Sequence, residues 1–439
     1  MNRPGKHVSF TSLIQALRKH CASMPEHRHN GKLRYSLPDI ILSAFACMFF
    51  QDRSLLQFQR RMQDESQSNN VTTCFGVEKI PEDTQLRDVL DKVNPENFRP
   101  IFYDYFSRLQ RGKHLEQFRI FGNRYLISID GTQYFTSNSI SCEHCLTREH
   151  KEEETSYHHQ ALQAAIVHPD CKQVIPLMPE DICNKDDQKK QDCELNAAKR
   201  LIPALRKDHP QLGIILLGDG LYSNNPMIEM VKAQRMDFIF TAKPDDHKYM
   251  MTWIADCDDE QIQQQTIIEN NRTYLYRWIN DVPLNAREDS FSVNYLQLEI
   301  FKHDKNGENK RSYRSSWVTN IELSHDNIIL MVKAARCRWK IENECFNNLK
   351  NQGYNLEHNF GHGAQFLAYN FYVITLLAFF FHQILELTCE DFQEARRRWS
   401  KFMIWERLRF LVNYIHFTSW EQMLHHCIDP PRIVSTAPL

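Results

Sequence analysis

The sequence carries no excess of one charge: 53 Lys and Arg stand against 55 Asp and Glu over 439 residues, a formal net charge of −2. That excludes a protein that coats nucleic acid through bulk positive charge, so any nucleic-acid binding must use local basic patches. There is no N-terminal stretch joining a basic start to a continuous apolar run and a small-residue cleavage site, and there is no internal repeat or low-complexity tract. With 13 Cys scattered through an otherwise ordinary composition, this pattern predicts a cytoplasmic protein whose thiols are mostly reduced. A clean membrane-spanning run is missing too. The nearest approach, "FLAYNFYVITLLAFFFHQIL" from Phe366 to Leu385, is interrupted by Asn370, Thr375, His382 and Gln383, and its length and polarity predict a buried core helix.

The length predicts two to four structural units. Residues from about 10 to 120 read as helical. "SLPDIILSAFACMFF" places Ser36 as a cap with Pro38 just inside a run apolar on all sides, and "PEDTQLRDVLDKV" has three- and four-residue apolar spacing from Leu86 to Val93. The pattern then changes. "RYLISIDGT" (Arg124 to Thr132) is a strand-length apolar run expected to end at Asp130 and Gly131, and "HHQALQAAIVHP" and "KQVIPLM" come next as further strands. A helix through Leu195, Ala198, Ile202 and Leu205, kinked at Pro203, leads to the strand "LGIILLGDG", the helix "NPMIEMVKAQ" and the strand "DFIFTAK". Strands alternating with helices imply an α/β core with parallel pairing where a helix crosses over.

From about Asp245 to Asn320 alternating patterns return. "TYLYRW", "SVNYLQLEIF" and "SSWVTNI" read as antiparallel strands joined by polar turns such as "DKNGENK", which predicts a β-rich insertion. A long helix is expected from Asn327 to Lys350, then the buried helix, then a tail containing "EARRRWSKFMIWERLR".

Three acids stand out by context. Asp130 and Asp219 each sit at the end of a strand, flanked by glycine in "IDGT" and "GDGLYS", and strand C-termini in α/β sheets open into the crevice where ligands collect. A single acid there is commonly a turn or cap residue; two in matching positions weaken that reading. In "RWKIENECFNNLK" the three- and four-residue stripe through Ala335, Arg338, Glu342, Phe346 and Leu349 puts Glu342 on the apolar face. Glu344 points roughly 200° away around the helix. An unpaired charge on an apolar face is costly, and a cation would compensate it. The expectation is that Glu342 does chemistry and Glu344 is surface. Three converging carboxylates suit Mg²⁺ or Mn²⁺, and two such ions can activate a water on one side of a phosphodiester and stabilise the leaving oxygen on the other.

Asp130 in "SIDGT", Asp219 in "GDGLYS" and "RWKIE" with Lys350 downstream resemble the DDE transposases of bacterial insertion sequences, in particular the subgroup with a Tyr-Arg-Glu-Lys signature. The resemblance covers about residues 120 to 385. It implies an RNase H-like catalytic core at 121–244 and 321–385, interrupted by the β-rich insertion at 245–320. A helical region at 1–120 would bind DNA ends, and a helical region at 386–439 would touch DNA or a second copy. By the same resemblance Asp130, Asp219 and Glu342 are catalytic metal ligands for two Mg²⁺ or Mn²⁺ ions, and Arg338 and Lys350 hold DNA phosphates. The chain departs from the signature in two places: Ala335 stands where Tyr is expected, and Lys350 lies eight residues after Glu342 where seven is usual. The implied activity is cutting at terminal inverted repeats and joining the 3′-hydroxyl to target DNA, by a homodimer in the DNA complex. Some relatives free the second strand through a DNA hairpin with a base flipped onto an aromatic; Trp317 is a candidate platform, against the plainer reading of a strand Trp packed on its sheet. A metal-dependent nuclease on the same core and a transposase-derived DNA-binding protein are the alternatives.

Two further signals remain. "SCEHC" spaces Cys142 and Cys145 by two residues, with His158, His159, Cys183 and Cys193 further on. A structural Zn²⁺ on that pair plus two later ligands is one reading; the lack of a matching second pair favours cysteines that merely pack. Basic residues cluster at Arg60 and Arg61, and at Arg396, Arg397, Arg398, Lys401, Arg407 and Arg409, where they interleave with Trp399 and Trp405. Each run is either a DNA contact or an ordinary solvated helix face.

Overall fold

The computed structural model describes the chain except residues 1–4, 30, 32, 64–69, 150–154, 185–189, 259, 288–289, 304–308 and 431–439. Strands form on the alternating and apolar runs of the middle of the chain: β1 (Arg119–Ile120), β2 (Arg124–Ser137), β3 (Leu146–Glu149), β4 (Thr155–Val167), β5 (Ile175–Pro176), β6 (Glu180–Ile182), β7 (Gly213–Gly218), β8 (Asp237–Thr241), β9 (Gln263–Glu269), β10 (Arg272–Pro283), β11 (Ser292–His303) and β12 (Asn309–Thr319). All twelve belong to one mixed sheet, ordered β3-β4-β2-β7-β8-β12-β11-β10-β9, with β1 beside β2 and both β5 and β6 beside β4. Only β2 with β7 and β7 with β8 pair in parallel. These connections cross over through helices α7 (Glu194–Asp208) and α8 (Asn225–Ala233), which cover the sheet and explain why β7, "GIILLG", is apolar throughout rather than alternating.

Helices α1 (Phe10–Ala22), α2 (Leu37–Phe49), α3 (Leu55–Gln63), α4 (Asn70–Phe75), α5 (Asp83–Leu90) and α6 (Arg99–Arg111) precede the sheet; α9 (Lys248–Ala255) precedes β9. After β12 come α10 (Ile328–Arg336), α11 (Asn347–Asn351), α12 (Leu367–Thr388), α13 (Glu390–Arg398), α14 (Lys401–Tyr414) and α15 (Trp420–Ile428). The Ser36 hydroxyl accepts from Asp39 N to start α2, which is buried along nearly its whole length against α12. Phe45 and Phe49 meet Phe381 of α12 at ring separations of 5.7 and 5.5 Å. Among the described residues one helix, α12, is long and apolar enough to cross a membrane, and 89% of its qualifying window is buried inside the protein. It is the central post on which the N-terminal and C-terminal helices pack.

Two expectations need correcting, the end of β2 and the long helix after β12. The strand expected to stop at Asp130 and Gly131 continues to Ser137, because β4 goes on pairing with it after β7 has ended; a bulge falls between Gln133 and Phe135. The strands of the expected β-rich insertion continue the core sheet: β12 pairs antiparallel with β8, Trp317 opposite Thr241, so β9 to β12 extend it, and β9 is a strand that the sequence pattern does not announce. The helix expected from Asn327 to Lys350 is broken. After α10 the backbone tightens into three-residue turns, Arg338 N to Ala335 O and Lys340 N to Cys337 O, and then widens into a π-helical turn over Ile341–Phe346. The Arg338 carbonyl accepts both from Ile341 N at 3.3 Å and from the Ser128 hydroxyl of β2 at 3.1 Å. The turn expected at "DKNGENK" lies largely outside the described residues.

Candidate acidic active site

Register places the first two acids. The last parallel pair between β2 and β7 is Ser128 with Leu217; two residues further on stand Asp130, still within β2, and Asp219, just past the end of β7. Equal steps along a period of two keep both side chains on one face, at the end of the parallel pair. Asp130 is held within β2 opposite Gln163 of β4. Asp219 caps the short turn Gly220–Tyr222 by accepting from Leu221 N at 2.9 Å.

The third acid comes from the π-helical turn. Glu342 lines an open cleft of about 440 Å³ with Asp130, Gly131, Thr132, Asn343, Asn347 and Lys350. The stripe argument for it fails in detail: Ala335, Phe346 and Leu349 are buried, while Glu342 is exposed to the cleft and Glu344 is the half-buried one. The cause is the broken helix, since a π turn inserts a residue into the 3.6-residue period and rotates every later side chain about the axis. Such insertions recur at functional sites.

A fourth acid joins them without a signal in the sequence. Glu194 opens α7, where an acidic residue ordinarily serves as a complement to the helix dipole. Its carboxylate accepts from the Tyr222 hydroxyl at 2.5 Å and lies so near the Gly131 backbone that a Cβ there would sit 2.7 Å from Oε2. Glycine at 131 is what lets this carboxylate approach Asp130.

These positions set the electrostatics. Burial pushes the Asp130 carboxyl up to about 6, Arg338 opposes this, and the charges of Glu194, Asp219 and Glu342 reinforce it. Burial likewise raises Glu194, against the Tyr222 hydrogen bond. The Arg338 guanidinium sits 3.1 Å from Asp130 Oδ2 and 4.4 Å from the centre of the Trp339 ring. Arg338, on Asp130, and Lys350, paired with Glu357, are the cations beside Asp130 and Glu342, and carboxylate oxygens are donors of the kind that suits hard divalent cations.

The other expected site residues fare differently. Lys350 lines the cleft and pairs with Glu357 at 2.8 Å. Trp317 is only 4% exposed, on a strand paired with both β8 and β11; buried in this way it is not available to stack on a base. Trp339, 51% exposed beside Arg338, is an aromatic that a partner can reach. The C-terminal basic run is largely committed internally. Arg396 pairs with Glu386, Arg397 and Arg398 with Glu394, and Lys401 donates to Asn348; Arg409 donates to the Phe50 carbonyl and Arg407 stacks on Trp399. Arg61 pairs with Asp52, while Arg60 is exposed.

A second cluster lies beyond the end of β2. The thiols of Cys142 and Cys145 are 3.7 Å apart, His159 Nε2 is 3.4 Å from Cys145 Sγ, and His362 Nε2 is 3.4 Å from the same sulfur. The pair therefore has two further donors after all. His159 is one of the candidates the sequence offers and His362 is not, while His158, Cys183 and Cys193 lie outside the cluster.

No protein-family model matches the sequence, and neither does any curated protein sequence. Among solved structures, this chain is similar to one titled as a piggyBac transposase synaptic complex with hairpin DNA, at 9% identity and a TM-score of 0.40, over 97% of this chain and 81% of that one. The likeness is a weak one.

Proposed function

We propose that this protein is a DNA transposase of the DDE type, built on an RNase H-like core, which cuts transposon ends and joins the freed 3′-hydroxyl to target DNA. What supports this reading is that Asp130 and Asp219 stand two residues past the last parallel pair, that Glu342 lines an open cleft together with Asp130, and that the charges of Asp219 and Glu342 both act on Asp130. The ordered motifs that resemble the insertion-sequence family support it independently.

Asp130, Asp219 and Glu342 would hold two Mg²⁺ or Mn²⁺ ions. Bound there, such ions supply an activated water or hydroxyl and stabilise the departing oxygen of a phosphodiester. Arg338, which now neutralises Asp130, is free to turn to a phosphate once that carboxylate has another cation. A guanidinium offers a phosphate two parallel hydrogen bonds. Lys350 sits on the same cleft wall and reaches the backbone of a bound strand after releasing Glu357. Tyr222 holds the Glu194 carboxylate in place behind Gly131, so that its charge adds to the cation site without entering the cleft. In this reading the helices before residue 120 read the transposon ends, two copies bring two ends together, and the protein works in the cytoplasm on chromosomal DNA.

The test uses duplexes carrying the short inverted repeats that flank the gene, with Mg²⁺ or Mn²⁺. Cleavage at the repeat boundary, and joining of a pre-cleaved end to a target plasmid, are expected; both are lost in Asp219→Asn with DNA binding retained. Cleavage without joining would leave a metal-dependent nuclease. Cleavage unchanged by Asp219→Asn would remove both enzyme readings.

A further inference from the structure

We infer that Cys142, Cys145, His159 and His362 form a structural zinc site that ties the end of the first catalytic strand to the chain beyond the Glu342 segment. The site goes beyond the proposed DNA chemistry and does not depend on it.

Four donor atoms approach one another as they would around a tetrahedral ion. With Zn–S near 2.3 Å and Zn–N near 2.0–2.1 Å, tetrahedral edges are about 3.8 Å between two sulfurs, about 3.6 Å between sulfur and nitrogen and about 3.3 Å between two nitrogens. The corresponding separations here are 3.7 Å for Cys142 with Cys145, 3.7 and 3.4 Å from His159 to the two sulfurs, 3.4 Å from His362 to Cys145, and 3.1 Å between the two Nε2 atoms. All four lie within 4.8 Å of one another. Two thiols and two imidazoles are soft and borderline ligands that select zinc over the hard ions suited to the acidic cleft.

The surroundings match what such ligands need. His362 turns its other ring nitrogen, Nδ1, to the Gly363 carbonyl at 2.9 Å, which leaves Nε2 as the lone pair facing the cluster. The Cys142 backbone N–H points at Cys145 Sγ at 3.5 Å, a donor that stabilises a metal-bound thiolate, and Cys145 N returns to the Cys142 carbonyl to close the loop. Asn184 braces the same loop by donating to the Cys145 carbonyl at 2.8 Å. His159 lies on β4 opposite Phe135 of β2, so its position is set by the sheet.

His362 is positioned just as firmly. It sits between Gly361 and Gly363, both with positive φ, and a Cβ at 363 would collide with Asp91 Oδ1. Asp91 accepts from the backbone N–H groups of Ala364, Gln365, Phe366 and Leu367, capping α12 from the far side of the helical region. The turn is thus built to hold an imidazole at a fixed point, against the three ligands supplied by the β2–β3 connection and β4. The bond so formed closes a long loop: it links residues 142–159 to residue 362 across the segment that bears Glu342, and so limits how far the two walls of the cleft can separate.

The experiment is metal analysis of the purified full-length protein, followed by replacement of zinc with Co²⁺. One zinc per chain is expected, with the visible absorption of tetrahedral cobalt and a sulfur-to-cobalt band in the near ultraviolet. Cys145→Ser should lose the stoichiometric zinc, and Cys257→Ser, at a half-buried thiol elsewhere, should keep it. Should Cys145→Ser fail to fold, His362→Cys keeps the test open: it offers a third sulfur, retains the metal and strengthens the charge-transfer band. Purified protein without stoichiometric zinc, or a Co²⁺ form with an octahedral spectrum, overturns the site, as does a Cys142–Cys145 disulfide found in protein handled without oxidant. None of these readouts requires DNA cleavage, so failure of the transposase reading and failure of the zinc site are told apart.

Discussion

The acidic cleft and the Cys/His cluster are built from the same two stretches of chain and reach opposite chemistries. Each takes one wall from β2 and its sequel, Asp130 in one case and Cys142 with Cys145 in the other, and the opposite wall from the segment after β12, Glu342 or His362. The acidic site is open to solvent, sets the charges of Glu194, Asp219 and Glu342 against Asp130, and carries the cost of burying Asp130. The Cys/His site has compact edges, its histidine partner is braced by Gly363, and its loop is closed by local hydrogen bonds. On the two proposals above, the difference teaches that a site for exchanging substrate is left short of partners, whereas a site for holding a fold together is closed.

The sharpest break in that comparison is Asp219→Asn. It should lower metal-dependent DNA cleavage by at least ~10²-fold, the scale seen when a metal's immediate environment is disturbed, while zinc content stays at one per chain; a single cleavage assay beside metal analysis checks both. Next comes Cys145→Ser. Removing a closed structural site should lower Tm by roughly 5–10 °C, with binding of Mg²⁺ to the acidic cleft less affected than stability; calorimetry and a metal titration separate the two. If cleavage falls as steeply as in Asp219→Asn while Tm is unchanged, the two sites do not divide the work as described.

A smaller effect concerns pH. The folded Asp130 has its pKa raised from 3.8 to about 6, so the protonated form contributes stability that is present below about pH 4 and lost as pH rises through about 6. Ionised Asp130 therefore costs the cation-free protein stability at neutral pH. Asp130→Asn should stabilise that form by about 1–3 kcal/mol at pH 8, with the gain shrinking as the pH falls from 6 toward 4, and excess Mg²⁺ should stabilise the unsubstituted protein but not the variant. Thermal melts across pH, with and without Mg²⁺, read this directly. The smallest expected effect is that of Glu194→Gln. The side chain keeps its contact with Tyr222 but loses its charge, so the Mg²⁺ needed for half-maximal cleavage should rise by about tenfold with little change in maximal rate. A fall in rate without a change in the metal requirement would place Glu194 among the groups that touch substrate.

Much of the site is legible in the sequence because strands are local. "SIDGT" and "LLGDGLYS" each show an apolar run closing on an acid and a glycine, and the parallel pairing of β2 and β7 then brings those acids into register. Glu342 is reached by an argument that does not hold. The even helical period assumed from Ala335 to Leu349 is broken by the π turn, and Glu342 faces a cleft rather than an apolar core. Trp317 reads as a stacking platform or a core residue, and the core reading prevails because the side chain is buried. Glu194 is invisible because a glutamate in the first turn of a helix is the commonest of capping signals.

What the amino-acid sequence determined by itself is the identity and order of the elements that carry the acids, since apolar periodicity and glycine or proline punctuation act over a few residues at a time. Which residues meet was decided only by tertiary structure. His362 joins Cys142, Cys145 and His159 from 203 residues beyond His159, Glu194 enters the acidic group through the space left by Gly131, and Arg338 turns onto Asp130 because its carbonyl is anchored by Ser128. Contacts of that range depend on how whole elements pack, and no local pattern encodes them.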